Sequence, residues 1–277
     1  MKLKARGTEF VFPRRPVVMG IVNLCENSFC GDGIANPDLA IERAKSLITE
    51  GAEIIDIGAE SARTDGAAIG EQEEIDRLCA FLERWTGGAL LSINTWRPAV
   101  ARAVLARGGD LLNDISGLPT AENAEICAAA GVALLIMHTI GAPKVAHTHV
   151  GYPDVMAELE RFFAEKLALA ERAGMSRDAI VIDPGIDFAK QRADNLRIYR
   201  ELSRLHQFGR PILLPVSRKT VIGETLGIER PAERDAGTVA CIVQGMQQGA
   251  QIFRVHDVRA AVQTIRTITA IHGSPDT

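Results

Sequence analysis

Polar and charged residues follow the apolar segments of this sequence at regular intervals, and their types are suited to binding a ligand. The positions are Asn23, Asp56, Asn94, Asn113–Asp114, Met137–His138, Asp183, Ser217–Arg218–Lys219 and Arg254 with His256 and Asp257. If the segments are parallel strands of one sheet, these side chains meet at the carboxyl ends of the strands, where such sheets bind ligands. The pattern therefore predicts one site.

One group of these residues suits a planar, neutral heterocycle. The group comprises Asn94, Asn113, Asp183 and Lys219. It offers several hydrogen-bond donors and acceptors but only one certain anion, which matches a ring with several N–H and C=O groups. A buried carboxylate such as Asp183 can accept two N–H bonds from an amidine-like edge, and such charge-assisted bonds are strong.

A second group suits an oxyanion that carries several charges. The group comprises Asn23, Arg63, Arg254 and His256. Cations contributed by separate loops are typical of phosphate or pyrophosphate sites. The amide oxygen of Asn23 beside them would bind a Mg²⁺ ion that also contacts the phosphate oxygens.

Taken singly, each motif also has a purely structural explanation. Asp183 before Pro184–Gly185 is typical of a turn, and residues 113–117 are typical of an Asx-turn. His147 and His149 resemble a metal-binding pair, but no third ligand lies near them in the sequence. The joint spacing of the motifs at strand ends favours a functional site.

Runs rich in Val, Ile and Leu predict the strands that carry these residues. The runs are 17–22, 53–58, 90–94, 110–114, 133–137, 180–184, 212–216 and 251–255. Continuous rather than alternating apolar residues indicate parallel strands that are covered on both faces. Longer segments with helical spacing lie between them, for example 37–52, 97–109 and 152–174.

These alternating units predict an α/β fold, a (β/α)8 TIM barrel in which residues 1–277 form a single domain. We expect residues 1–15 to form a hairpin around Arg6–Gly7 that plugs the bottom of the barrel. An open doubly wound sheet is the alternative, although no GxGxxG motif follows the first strand.

Composition and charge exclude several classes of protein. The 277 residues have a formal net charge of −4 with scattered basic residues, so we expect neither nucleic acid nor a membrane surface as a partner. No apolar stretch approaches the ~18 residues of a membrane span, and residues 1–15 lack the apolar core of a signal peptide. Five cysteines without a CxxC pair favour reduced thiols and a cytoplasmic location.

The order of the motifs resembles the dihydropteroate synthase family. That family has N-x-T-P-D-S-F, E-S-T-R, D-T-Y, N-D-x-S-G, a Met-His strand, D-P-G-x-G-F-G-K, S-R-K-S and R-V-H-D. The counterparts here are "NLCENSF", "ESAR", "NTW", "NDISG", "MH", "DPGIDFAK", "SRKT" and "RVHD". The match covers essentially the whole chain in order.

The resemblance implies a transferase of folate biosynthesis, which joins 4-aminobenzoate to 6-hydroxymethyl-7,8-dihydropterin pyrophosphate and releases pyrophosphate with the help of Mg²⁺. The implied pterin-binding residues are Asn94, Asn113, Asp183 and Lys219, with Met137 packing near the ring. The implied pyrophosphate and metal residues are Asn23, Arg63, Arg254 and His256. Aminobenzoate would contact Ser28, Phe29 and Thr220. The implied catalytic set is Asn23, Ser28, Phe29, Lys219, Arg254 and His256, and the family suggests a homodimer.

Several positions depart from the family motifs. The Thr-Pro-Asp of the first loop is Cys25–Asn27, the Asp of D-T-Y is Asn94, and the glycines of G-F-G-K are Asp187 and Ala189. One hypothesis is a working synthase, and another is a paralogue that binds a pterin or related heterocycle without making dihydropteroate. A methyltransferase of the same superfamily is a third, but it does not need the predicted cationic group.

Overall fold

The structure is a computed structural model, which describes residues 1–25, 33–60, 68–145 and 150–273. The strands are β1 (Lys2–Ala5), β2 (Thr8–Val11), β3 (Val17–Asn23), β4 (Ile54–Gly58), β5 (Leu90–Asn94), β6 (Leu111–Asp114), β7 (Ala133–Met137), β8 (Ile180–Asp183), β9 (Leu213–Pro215) and β10 (Ile252–Val255). The α-helices are α1 (Pro37–Glu50), α2 (Glu71–Leu82), α3 (Pro98–Leu105), α4 (Glu122–Ala130), α5 (Val155–Arg172), α6 (Arg192–Glu201), α7 (Thr220–Leu226), α8 (Asp235–Gln247) and α9 (Val258–Ile271). Short 3-10 helices cover Arg177–Ala179, Leu202–Phe208 and Pro231–Glu233.

The eight strands β3 to β10 form a parallel barrel. Neighbouring strands pair in the order β8-β7-β6-β5-β4-β3-β10-β9. A parallel bridge between Ile182 and Ile212 joins the two ends of this order, so that the sheet closes on itself. The predicted (β/α)8 barrel is therefore confirmed, and the alternative of an open doubly wound sheet is wrong.

The strands are buried on both faces because their apolar runs are continuous. In β7, for example, each of Ala133–Met137 is at most 2% exposed. Side chains that point outward pack against the helices, and those that point inward fill the barrel. The predicted strands are confirmed to within a residue at either end.

Local sequence signals explain where the helices begin and end. Asn36 accepts hydrogen bonds from the N–H groups of Asp38 and Leu39, and Pro37 fits the first turn of α1. Gly51 ends α1 with φ 108°, a conformation that glycine adopts easily. Asp154 caps α5 in the same way as Asn36 caps α1. The predicted helices 37–52, 97–109 and 152–174 are present but shorter at their ends.

The amino-terminal hairpin covers the end of the barrel that lies opposite the strand carboxyl ends. β1 and β2 pair antiparallel around Arg6–Gly7, whose φ values of 34° and 85° make the tight turn. Leu3, Phe10 and Phe12 belong to a core cluster that includes the first residues of most barrel strands, such as Val17 and Ile54. The expected hairpin is thus present at the expected position. None of the helices in the described ranges combines the length and apolarity needed to span a bilayer.

Candidate active site

A cavity of about 970 Å³ opens at the carboxyl ends of the barrel strands. The predicted site residues that line it are Asn23, Asn94, Asn113, Met137, Asp183, Lys219, Thr220, Arg254 and His256. They come from separate strands and the segments that follow them, and the parallel register brings them together. Asn94 pairs with Asn113 across β5 and β6, and Met137 pairs with Asp183 across β7 and β8.

Three predicted residues lie outside the described part of the chain. They are Ser28, Phe29 and Arg63. The histidine pair of His147 and His149 also lies outside it. These assignments stay predictions.

The buried carboxylate of Asp56 organises the floor of the cavity. Its side chain accepts hydrogen bonds from Ser92 Oγ at 2.5 Å, from Asn113 Nδ2 at 3.1 Å and from Arg254 Nε at 2.8 Å. Asp56 is 1% exposed, so the guanidinium and the polar groups around it replace the water that a carboxylate would otherwise bind. One residue in the middle of an apolar strand therefore orients a member of each predicted group.

The role of Asp56 was not assigned from the sequence, although a signal was present. A carboxylate interrupts the apolar run Ile54–Gly58, and a charged residue in a strand that is buried on both faces needs a charged or polar partner. Which residue is that partner depends on which strand lies near Asp56 in the barrel, and local sequence does not show this. Arg254 lies 198 positions from Asp56 in the sequence. The two residues meet because β4 and β10 are both neighbours of β3 in the sheet.

The two asparagines of the predicted heterocycle group differ in their environment. Asn113 is 3% exposed, and its amide nitrogen is used by Asp56, so its amide oxygen is the group that can accept a bond from a ligand. Asn94 is half-buried, and its side chain makes no hydrogen bond to the part of the chain that the structure describes. Asn94 can therefore present both its donor and its acceptor to the cavity.

Asp183 is the acidic member of the heterocycle group and is 4% exposed. One carboxylate oxygen accepts a hydrogen bond from the N–H of Gly185 at 2.7 Å, as expected for a turn at Asp-Pro-Gly. Burial raises the pKa of Asp183 to about 6, and the nearby charge of Lys219 partly offsets this effect. The turn and the binding role are thus compatible, since the carboxylate retains further acceptor positions.

Lys219 lies next to the loop that follows β8. Its ammonium donates a hydrogen bond to the carbonyl of Ile186 at 2.9 Å and lies 5.0 Å from the centre of the Phe188 ring. This cation–π contact leaves one face of the site flanked by an aromatic ring and a positive charge. A flat heterocycle placed on Asp183 would therefore meet a donor from Lys219.

Lys190, which the sequence analysis did not single out, holds this loop in place. Its buried ammonium donates hydrogen bonds to the carbonyls of Gly185 and Phe188 at 2.9 and 3.0 Å, and lies 2.8 Å from His138 Nδ1. Burial lowers the pKa of Lys190 to about 7. Burial, and secondly the positive charge of Lys190, lowers the pKa of His138 to about 2. His138 is therefore a neutral acceptor that supports the loop.

Arg254 and His256 are the described cations of the predicted oxyanion group. Asp56 uses the Nε of Arg254, so the terminal guanidinium nitrogens are what Arg254 can offer to an anion. His256 Nδ1 lies 2.8 Å from Ser217 Oγ, and the same oxygen accepts the main-chain N–H of His256 at 3.2 Å. Ser217 thus holds the imidazole of His256 at Nδ1 and the backbone of the same residue at its N–H.

Two cations hold Glu60, the last described residue before the segment 61–67 that contains Arg63. Glu60, the first residue of the "ESAR" motif, accepts a hydrogen bond from Arg97 Nη1 at 2.6 Å and forms an ion pair with Lys144 at 3.4 Å. Its side chain is 1% exposed, so both cations are needed to compensate its burial. The motif glutamate therefore has a structural role beside the cavity.

Two residues at the strand ends serve the fold rather than the cavity. Asp114 accepts hydrogen bonds from the N–H and Oγ of Ser116 at 2.8 and 2.5 Å and from Asn123 at 3.0 Å, which makes the Asx-turn considered from the sequence. Arg218 donates two hydrogen bonds to Asp235, at 2.8 and 3.0 Å. A polar residue at a strand end is thus not always a ligand-binding residue.

An intramolecular carboxylate lies beside Thr220, the residue implied for aminobenzoate. Asp187 accepts hydrogen bonds from the main-chain N–H groups of Thr220 and Val221 at 2.5 and 3.2 Å. Asp187 and Ala189 have φ values of 69° and 50°, in the region that glycine adopts most easily. They stand at the two glycine positions of the family motif, so the loop keeps a conformation typical of glycine without the glycines.

Comparison with known proteins identifies the family. The family model described as "Pterin binding enzyme" matches residues 19–256. Dihydropteroate synthase of Escherichia coli K12 is 36% identical over 273 residues, which cover 98% of this chain and 96% of that protein. Dihydropteroate synthase of a Synechocystis strain is 36% identical over 268 residues, with 95% and 93% of the two chains covered.

Solved structures agree with the sequence comparison. The Yersinia pestis dihydropteroate synthase in complex with a sulfonamide drug superposes with a TM-score of 0.92 at 36% identity, covering 99% of both chains. The Xanthomonas albilineans enzyme in complex with 7,8-dihydropteroate gives a TM-score of 0.86 at 35% identity, covering 99% of this chain and 100% of that one. The same enzyme with 4-aminobenzoic acid gives 0.89 at 36% identity, covering 99% of both. On these grounds the chain belongs to the dihydropteroate synthase family of pterin-binding enzymes.

Proposed function

We propose that the protein condenses 4-aminobenzoate with 6-hydroxymethyl-7,8-dihydropterin pyrophosphate to form dihydropteroate and pyrophosphate. The observation that carries this proposal is the presence in one cavity of a heterocycle group and a cationic group, joined through Asp56. One relative of similar fold, the Xanthomonas albilineans enzyme, was solved with 7,8-dihydropteroate and with 4-aminobenzoic acid. A substrate with a flat ring at one end and a pyrophosphate at the other would contact both groups.

The pterin would lie on the floor of the cavity. Asp183 would accept two N–H bonds from the amidine-like edge of the ring, Asn113 would accept another through its amide oxygen, and Lys219 would donate to a ring acceptor. Met137, which is 2% exposed, would supply an apolar contact. Asn94 would contribute a neutral bond where the family motif has a carboxylate.

The pyrophosphate would be bound by Arg254 and His256, together with Arg63 and Asn23. In the reaction the amine nitrogen forms a bond to the methylene carbon of the pterin, and the C–O bond to pyrophosphate breaks with its electron pair on the leaving oxygen. The amine then loses one proton. Fixed cations stabilise the charge that develops on the leaving group, and Asp56 holds Arg254 in position before the reaction begins.

We include Mg²⁺ in this proposal, with Asn23 as its protein ligand. In the described ranges no three His, Cys, Asp or Glu side chains cluster as a metal site. An amide oxygen at the end of β3, beside an expected pyrophosphate, nevertheless fits Mg²⁺, which commonly takes few protein ligands and completes its shell with phosphate oxygens and water. The ion would neutralise charge on the leaving group.

The aminobenzoate end is assigned to Thr220, Ser28 and Phe29. Thr220 lines the cavity and is exposed. Ser28 and Phe29 would close over the second substrate from the first loop and exclude water while the carbon–oxygen bond breaks. Exclusion of water matters because the reactive carbon would otherwise be hydrolysed.

A catalytically altered paralogue is the alternative function. Two observations favour it: the neutral amide of Asn94 in the heterocycle group, and the carboxylate of Asp187 on the N–H group of Thr220. Such a protein would bind the pterin but would not join it to aminobenzoate.

Pyrophosphate release decides between the two functions. The purified protein is incubated with the dihydropterin pyrophosphate and Mg²⁺, with and without 4-aminobenzoate, and both pyrophosphate and dihydropteroate are measured. Release that depends on 4-aminobenzoate and matches dihydropteroate formation supports the synthase. Tight pterin binding by titration without either product supports the paralogue, and absence of pterin binding contradicts both.

We also propose a homodimer, as the family resemblance implies. Ile271 near the end of α9 supports this proposal, because it is a large apolar residue that is 69% exposed. Light scattering across a concentration series tests this proposal. A constant monomer mass would contradict it.

A further inference from the structure

The turn between β9 and α7 carries residues of both ligand groups. Lys219 belongs to the heterocycle group, and Ser217 Oγ lies 2.8 Å from Nδ1 of His256 in the oxyanion group. Arg218, which separates them, has φ 57°, in the left-handed region that residues other than glycine rarely adopt. Such a conformation persists only where the surrounding contacts fix it. The directions of the Ser217 and Lys219 side chains therefore depend on what holds Arg218.

The beginning of α8 holds each polar group of Arg218. Its main-chain N–H donates a hydrogen bond to Thr238 Oγ1 at 3.0 Å, and its carbonyl accepts one from Arg234 Nη1 at 3.1 Å. Its guanidinium donates to Asp235 at 2.8 and 3.0 Å. A single helix start thus fixes the backbone and the side chain of the residue that has the left-handed conformation.

Arg234 makes the largest share of these contacts and is 6% exposed. Besides the carbonyl of Arg218, its Nη1 donates to the carbonyl of Lys219 at 3.3 Å. Its Nε and Nη2 donate to the carbonyls of Ile228 and Glu229 at 3.1 and 2.6 Å. Two of the four carbonyls precede α7 and two follow it. The guanidinium therefore joins both ends of this short helix.

Gly223, inside α7, makes room for the guanidinium. A Cβ atom on residue 223 would lie 2.6 Å from the guanidinium carbon of Arg234, which is closer than real Cβ contacts come. Glycine is less favourable than alanine in the interior of a helix. The glycine therefore serves the packing of Arg234 and not the stability of α7 itself.

We propose that Arg234 is a positioning residue, which fixes the left-handed turn at Arg218. This turn directs the side chains of Lys219 and Ser217 toward the cavity that both of them line. Arg234 donates its described hydrogen bonds to main-chain carbonyls, so it acts on a substrate through these neighbours. The inference rests on the proposed function, because the direction of Lys219 affects activity only if the pterin binds beside it.

The test uses Arg234→Lys, Arg234→Ala and Gly223→Ala. The dissociation constant of the free hydroxymethyl pterin is measured by titration, kcat and KM are measured with both substrates, and urea denaturation gives the stability of each variant. Arg210→Lys is the matched control. Arg210 is a 3% exposed arginine that donates to the carbonyl of Phe208 and to Glu171, and it precedes β9, at the opposite end of the barrel.

The expected result is a loss of pterin affinity that does not follow stability alone. Arg234→Ala should lower the affinity for the free pterin by about tenfold or more, because a small misplacement of a binding group is costly. Arg234→Lys should fall between, since an ammonium lacks the planar fork that reaches several carbonyls at once. Hydrogen exchange of the Arg218 amide should be faster in both variants. Arg210→Lys should lower stability and leave the pterin affinity unchanged.

Gly223→Ala tests the same contact without removing a polar group. The added methyl group should displace the guanidinium and lower the pterin affinity, although alanine favours the helix. In the Arg234→Ala background the same substitution should have little further effect, because the group that it displaces is gone. Such non-additivity is the sign of a direct coupling between the two residues.

Three outcomes overturn the inference. Folded Arg234→Ala and Arg234→Lys proteins with the pterin affinity of the wild type would show that the turn does not need Arg234. An equal loss of affinity in Arg210→Lys would assign the effect to stability. If Arg234→Ala does not fold, an unchanged affinity in Gly223→Ala overturns the inference by itself. If the wild type binds the pterin but releases no pyrophosphate, the condensation fails as a function, and the affinity ratios still decide the role of Arg234.

Discussion

The floor and the rim of the cavity differ in what holds them. On the floor, Asp56, Asn113 and Asp183 sit within or at the end of barrel strands and are at most 4% exposed. On the rim, Asp187, Ala189 and Thr220 belong to the segments after β8 and β9 and are half-buried or exposed. The floor keeps its position through strand register, whereas the rim depends on a few side-chain contacts.

One described departure from the family motifs, Asn94, lies at the end of a barrel strand. Asn113, Asp183 and Lys219 match the motifs, and the structure ties each to a neighbouring strand or loop. Two of the departures, Asp187 and Ala189, lie on the rim in backbone conformations that suit glycine. A change at Asp187 alters hydrogen bonds of half-buried or exposed groups, while a change at Asp56 leaves several buried groups unpaired. The rim can therefore change specificity while the barrel is preserved.

The largest effect is expected from Asp56→Ala. The substitution leaves the Arg254 guanidinium, Ser92 and Asn113 without their common partner, which should lower the free energy of unfolding by about 3–5 kcal/mol. Urea denaturation measures this loss. Ser92→Ala is the control, because it removes one hydrogen bond and should cost about 1 kcal/mol. Equal losses in the two variants would contradict a floor organised by Asp56.

The next largest effect is expected from Asp183→Asn on pterin affinity. The amide cannot accept two charge-assisted bonds, so the dissociation constant for a pterin should rise by one to two orders of magnitude, about 1.5–3 kcal/mol. Calorimetric titration measures this change. Thr220→Ala on the rim is the comparison and should leave the affinity for a free pterin unchanged. An unchanged affinity in Asp183→Asn would contradict the pterin assignment.

The pKa of Asp183 makes the same assignment testable by pH. Because that pKa is about 6, the carboxylate becomes protonated below this pH, and pterin affinity should fall by about tenfold per pH unit there. Asp183→Asn should lack this dependence. The folding stability of the ligand-free protein should depend on pH in the opposite direction. Because folding raises the pKa of Asp183 from 3.8, the contribution of this residue to stability is largest below about pH 4 and is lost as pH rises through 6.

Arg254→Gln should separate the two halves of the proposed substrate. Loss of the cation should lower the affinity for the pterin pyrophosphate by about tenfold or more, while the free hydroxymethyl pterin should bind nearly as in the wild type. Titration with both ligands gives the ratio. Because Asp56 loses a charged partner, the variant should also be less stable, so affinities are compared only where unfolding curves show a folded protein. Equal losses for both ligands would contradict the division into two groups.

A smaller effect is expected from Asn94→Asp. If the cavity binds a pterin, a carboxylate beside Asn113 should replace a neutral hydrogen bond by a charge-assisted one and tighten binding by about fivefold, or ~1 kcal/mol. If the cavity binds another heterocycle, the donor of Asn94 is needed and the substitution should abolish binding of that ligand. Pterin titration of both proteins distinguishes the two. Absence of pterin binding by either would contradict the synthase.

The smallest effect concerns the stability of the rim. Ala189 has φ 50°, which costs an alanine about 1–2 kcal/mol relative to a right-handed conformation, so Ala189→Gly should stabilise the protein by roughly 1 kcal/mol. Thermal or urea unfolding measures the gain. Ala142→Gly is the control: Ala142 also lines the cavity, but it is not among the residues with positive φ, and its substitution should not stabilise. A loss of stability in Ala189→Gly would contradict the inference that the backbone of residue 189 is strained.

The barrel and most of its floor could be predicted from local patterns in the amino-acid sequence. Continuous apolar runs such as Ala133–Met137 fit strands buried on both faces, and Gly51 and Asn36 mark helix ends by local rules. Since parallel strands end on the same side, the strand-end positions of Asn113 and Asp183 are enough to place both residues at one edge of the sheet. These inferences need only the residue pattern and the geometry of parallel strands.

Which polar residues act together depends instead on tertiary packing. The pairing of Asp56 with Arg254 joins residues 198 positions apart, and no local pattern indicates it. The buried contact of Lys190 with His138, and that of Asp187 with Thr220, likewise depend on how separate loops pack. Local patterns predict where each strand lies along the chain, but the distance between two loop side chains follows from the closed barrel, because closure brings distant segments to one rim.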